Sequence, residues 1–121
     1  LARDRALEII KITEFNKAAA VFRATFVDEI FHIRRNVEPF FKRFGERRED
    51  IEITNEKAKI IFEAFLPKDE IAGFNAIWEQ YNNPKEESKI KKSPLNPEYY
   101  KKLGEIRLSH IYKLLKFAKP K

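Results

Sequence analysis

The stretch Thr13-Glu-Phe-Asn-Lys-Ala-Ala-Ala-Val-Phe22-Arg-Ala-Thr-Phe-Val-Asp-Glu-Ile-Phe-His-Ile33 decides the fold. At roughly 100° per residue, Phe15, Ala19, Phe22, Phe26, Ile30 and Ile33 fall on one face of a helix. A second apolar stripe, Ala20, Ala24, Val27 and Phe31, falls on nearly the opposite face. The pattern predicts a long helix from about Thr13 to Asn36, with Thr13 as its cap and Glu14 in its first turn. A helix apolar on two sides is expected at the centre of a bundle or at a dimer seam.

Upstream, Ala6 to Ile12 reads equally as a short leading helix or an extended arm. Downstream, Pro39 is followed by Phe40, Phe41 and Phe44, a short turn ending at Gly45. Gly45 to Asp50 is a charged loop, and the next helix is expected from Thr54, with Ala58, Ile61, Phe62 and Phe65 inward. Pro67 breaks the chain and starts a third helix, with Ile71, Phe74, Trp78 and Tyr81 inward and an end near Pro84. Residues 84–95 are rich in Lys, Glu and Ser and read as a mobile loop. Asn96-Pro97-Glu98 is a strong start signal for a last helix carrying Tyr99, Leu103, Ile106, Ile111, Leu114, Phe117 and Ala118. With only three glycines and no Asn-Gly or Asp-Gly turn, a β-meander is disfavoured. The expectation is all-α: one domain over 1–121, a compact bundle of four to five helices with a long central first helix.

The 121 residues are 43% hydrophobic and 36% charged, a globular balance. There is no cysteine, which excludes disulfides, thiolate metal sites and a Cys nucleophile. No apolar run approaches the ~20 residues a membrane span needs, and the first residues lack the apolar core of a signal peptide. No membrane partner is expected. The net charge of +6 is uneven, since eleven Lys/Arg against four Asp/Glu lie from Lys85 onward. The basic character therefore belongs to the C-terminal third.

Few residues invite chemistry. Glu29-x-x-His32 has the spacing of half a di-iron motif, but His110 is preceded by Arg107, so the second half is missing. His32, beside Asp28, otherwise reads as a surface histidine. His110 projects onto the apolar arc of the last helix, where a core-edge histidine bonded to Tyr, Ser or backbone is the plain reading and a pH-sensing or catalytic role the sharper one. Ser88, Ser93 and Ser109 lie in no nucleophile motif, and no phosphate-cradling glycine loop occurs. No catalytic residue, cofactor or metal site is assigned.

Two binding readings remain. Lys85, Lys89, Lys91, Lys92, Lys101 and Lys102, with Arg107 and the lysines beyond it, are candidate phosphate contacts, and Tyr99, Tyr100 and Tyr112 candidate stacking surfaces. Val27, Phe31, Phe40 and Phe41 lie off the main stripe and are candidates for a protein interface.

Three further stretches, Phe22-Arg-Ala-Thr-Phe-Val-Asp-Glu-Ile30, Ala58-x-x-Ile-Phe62 with Phe65-Leu66, and Phe74-Asn-Ala-Ile-Trp-Glu-Gln-Tyr81, resemble a family of small uncharacterised bacterial all-helical proteins. The closing helix, Ile111 to Ala118, is similar as well. The resemblance runs from Phe15 to Ala118 and implies a helical fold and a bacterial, cytoplasmic setting, with no activity to carry over. The expected function is a non-enzymatic protein-interaction or regulatory module, working on a protein partner or as a homodimer. The rival is a nucleic-acid accessory protein, and the third class an enzyme or metal protein centred on His32 or His110.

Overall fold

The computed structural model describes residues 2–35, 48–90 and 96–121. Among them, 86% are helical and none forms a strand, so the chain is an all-α bundle. The elements are α1 (Ala2–Thr25), α2 (Val27–Arg34), α3 (Arg48–Glu63), α4 (Lys68–Asn82), a 3-10 turn (Lys85–Lys89) and α5 (Pro97–Phe117). No described helix is long and apolar enough to cross a membrane.

The first helix starts well before Thr13, and residues 2–12 are helical rather than an extended arm. Thr13 is no cap. Its hydroxyl donates back to the Ile9 carbonyl at 2.9 Å, which satisfies a threonine inside a helix. The long helix bends at Phe26, where the backbone tightens to an i−3 bond, Phe26 N to Arg23 O at 3.1 Å. Thr25 donates its hydroxyl to the Val21 carbonyl at 3.0 Å, the kind of side-chain bond that bends helices.

The helix α3 begins at Arg48 rather than Thr54, so residues 48–50 belong to it and not to a charged loop. It is also rotated from the expected face. Asn55, Ala58, Phe62 and Leu66 are buried, while Ile61 is 56% and Phe65 39% exposed. At the start of α5 the expected cap is present, with the Asn96 side chain accepting from Glu98 N at 3.0 Å and Pro97 in the first turn. Of the segment expected as a loop, residues 85–89 form the 3-10 turn.

Aromatic rings fill the middle of the molecule. Phe22 stacks on Phe62 at 4.9 Å between centroids, and both tilt against Phe74 at 5.6 and 5.7 Å. Ile111, Leu114 and Ala118 are fully buried with them. A second layer lies two helical turns away. Glu29, Asn55, Tyr81 and Arg107 meet there, and each stands seven residues from a fully buried residue: Phe22, Phe62, Phe74 and Leu114 respectively. The step is forward in α1–α2 and α4 and backward in α3 and α5. The helices therefore alternate in direction, in up-down-up-down order. At the α1 side the chain's last residues are tied down: the Arg23 guanidinium donates to the Ala118 carbonyl, and Asn16 exchanges hydrogen bonds with Lys121.

Candidate functional site

Among the described residues, a buried polar group is built from one residue on each of α2, α3, α4 and α5. Arg107 on α5 donates Nε to Glu29 Oε1 on α2 at 2.7 Å, and its terminal nitrogen lies 2.5 Å from the same oxygen. Tyr81 on α4 donates its hydroxyl to Glu29 Oε2 at 2.8 Å. The same hydroxyl accepts from Arg107 at 3.0 Å and from Asn55 Nδ2 on α3 at 3.3 Å. The Arg107 guanidinium also lies 4.9 Å from the Tyr81 ring centre. Glu29 is only 6% exposed. Burial drives the Tyr81 hydroxyl far above its ordinary pKa, and the neighbouring Glu29 charge pushes the same way.

This group has the look of an active site, but the hydrogen-bonding capacity of the Tyr81 hydroxyl at its centre is spent. A phenol offers one donor and two acceptor positions, and Tyr81 uses all three on its own chain. Sequence reasoning treated Tyr81 as core, Arg107 as a surface cation and Glu29 as half of a metal motif. Arg107 is in fact paired inside, and the Glu29 carboxylate is taken up by Arg107 and Tyr81. The available signal was the seven-residue spacing, which sets four polar residues in register with the apolar stripes.

His110 is 2% exposed and sits on the apolar arc as expected. Its partner is Glu86 from the 3-10 turn, at 3.3 Å from Nε2, rather than Tyr, Ser or backbone. Nδ1 is buried with no hydrogen-bond partner among the described residues. The Glu86 carboxyl is held below the usual range by its own backbone amide and by His110. An open cleft beside them is bordered by Lys102, Glu105, Ile106 and Ser109. His32 is half-buried rather than on the surface, with its ring 5.4 Å from that of Phe31. Among the described residues, no three His, Asp or Glu side chains gather into a group able to hold a metal ion.

Lys85, Lys89, Lys101 and Lys102 are exposed, whereas Lys91 and Lys92 lie outside the described residues. Tyr112 is engaged by Arg34, whose Nε donates to its hydroxyl at 2.8 Å. Of the interface candidates, Val27 is 58% and Phe31 51% exposed, and Phe40 and Phe41 lie outside the described residues. The Arg35 guanidinium covers one side of the Phe31 ring at 5.1 Å. Sequence reasoning missed a larger set of exposed apolar side chains: Leu7, Ile9, Ile10 and Val21 on α1, and Ile53, Ile60 and Ile61 on α3.

No family model, curated protein or solved structure matches the chain.

Proposed function

We propose that the chain is a non-enzymatic protein-interaction module. The exposure of large aliphatic side chains along two helices of a small bundle carries this reading. A single exposed Leu or Ile is ordinary, but repeated exposure on the same elements is the pattern of a contact surface. In the interior polar group, the Tyr81 hydroxyl and both Glu29 carboxylate oxygens are engaged by side chains of neighbouring helices, which fits a structural role for that layer. The setting in this reading is the bacterial cytoplasm, which rests on the resemblance of the aromatic pattern.

The test is site-specific photocrosslinking in producing cells, with a benzophenone amino acid at Val21, Val27, Phe31 or Ile60 and at Glu79 as an exposed polar control. Discrete protein adducts from the apolar positions and none from Glu79 are expected. Uncrosslinked chain at every position would overturn the reading.

A second reading, nucleic-acid binding, draws on α5, where Lys101, Lys102, Lys113 and Lys116 are exposed on one side of the helix. Glu98 and Glu105 interrupt that face and weaken its field. Anisotropy titrations of labelled DNA and RNA at rising salt decide it: binding that falls steeply with salt, and is lost in K101Q/K102Q, supports phosphate contacts.

A further inference from the structure

The exposed side of α1 has a property that a generic contact surface does not need. Leu7, Ile10, Glu14, Lys17, Val21 and Ala24 recur at alternating steps of three and four, the spacing of a coiled-coil seam. They form a stripe roughly 140° around α1 from the buried Phe15–Ala19–Phe22 face, and all six are exposed. Read from its two ends, the stripe is complementary to itself. With a two-fold axis between Glu14 and Lys17 and the helices antiparallel, Glu14 meets Lys17 of the second chain. In the same register Ile10 meets Val21, and the large Leu7 meets the small Ala24. A parallel pairing would set Glu14 against Glu14 and Lys17 against Lys17, so charge selects the antiparallel arrangement. Neither Glu14 nor Lys17 has an ion-pair partner among the described residues of its own chain.

We infer that the occupant of this surface is a second copy of the chain, docked by antiparallel α1–α1 pairing. The inference rests on the protein-interaction reading and names its partner. Two halves that are complementary when one is reversed are what a self-complementary two-fold interface uses. The pairing also bears on the start of α1, which is helical with every residue from 2 to 11 exposed. An unpacked helical segment of that length is marginal in water by itself. In the dimer, residues 20–24 of the other chain lie over residues 7–11.

Sedimentation equilibrium of the full chain from nanomolar to high micromolar tests the idea, with E14K, K17E and their equimolar mixture. Both positions are exposed, so the fold is not at risk, and far-UV circular dichroism checks this. Wild type is expected to dimerise. Each single variant places like charges across the axis twice and weakens the dimer by about tenfold or more. The mixture restores it as a heterodimer, since E14K then faces K17E at both contacts. A wild-type chain monomeric throughout the range overturns the pairing, as does a dimer insensitive to both swaps or variants whose mixture fails to recover. Photocrosslinks from Val21 to a different protein would keep the interaction reading while removing the second copy. Absence of both dimer and crosslinks would remove both.

Discussion

The Tyr81 hydroxyl, with one bond given and two received inside the protein, makes a titration prediction. Its folded pKa lies above the ordinary value of 10.0 at which an unfolded chain releases the proton. The native state therefore binds this proton more tightly, and the contribution to stability is complete below that value and lost as the pH rises above it. In a spectrophotometric titration, Tyr81 is expected to ionise only with alkaline unfolding, and Y81F removes that late step. The ion pair beneath it obeys a different rule. Arg107→Leu strands the buried Glu29 carboxylate and is expected to cost about 3–5 kcal/mol in urea denaturation. Adding Glu29→Met to that variant removes the stranded charge and regains most of the loss, because the pair repays little more than its own desolvation. If the double variant proves no more stable than the single one, the cost lies in packing rather than charge.

At the scale of the element, the sequence was most legible where one signal acted alone. Asn96-Pro97-Glu98 specified the start of α5, and the Phe15–Phe22–Ile33 stripe specified the inward side of the first helix. In α3 two apolar stripes competed. Ile61 and Phe65 are more apolar than Asn55, so hydrophobicity alone set them inward beside Ala58 and Phe62 and passed over Asn55. Asn55 is instead buried and hydrogen-bonded to Tyr81, a partner from a distant part of the chain. Local pattern cannot contain such information. In α4, Gly73 lies mid-helix, where an added Cβ would meet only the Phe117 ring at 3.8 Å, an ordinary contact. Gly73→Ala is therefore expected to stabilise by about 0.5–1 kcal/mol, read as a raised urea midpoint at unchanged slope. A lowered midpoint would mean that the Phe117 ring cannot yield.

Across the whole molecule, stability is unevenly distributed. Residues 2–11 have no buried side chain, while the aromatic layer and the Glu29–Tyr81–Arg107 layer tie the helices together. Hydrogen exchange is expected to show two regimes: α3, α4 and α5 opening together at the global free energy, and residues 2–11 opening far more easily. Protection of residues 7–11 should rise with protein concentration if a second chain covers them, and stay constant if none does. The all-helical class was readable from period and turn chemistry, and the candidate site was not. Its parts were each readable as something else, a surface cation, a core ring, half a metal motif, until the fold placed them in one layer.

The bend at Phe26 falls between the two layers, with stacked rings on one side and the ion pair of Glu29 on the other. A hinge whose two leaves are both bolted down does not swing. The short arm beyond it, with Phe31 half in water, is consequently aimed in one fixed direction. A ring held out on a stiff support has little freedom left to surrender when another surface covers it, so contact there is cheap in entropy before any new interaction is counted.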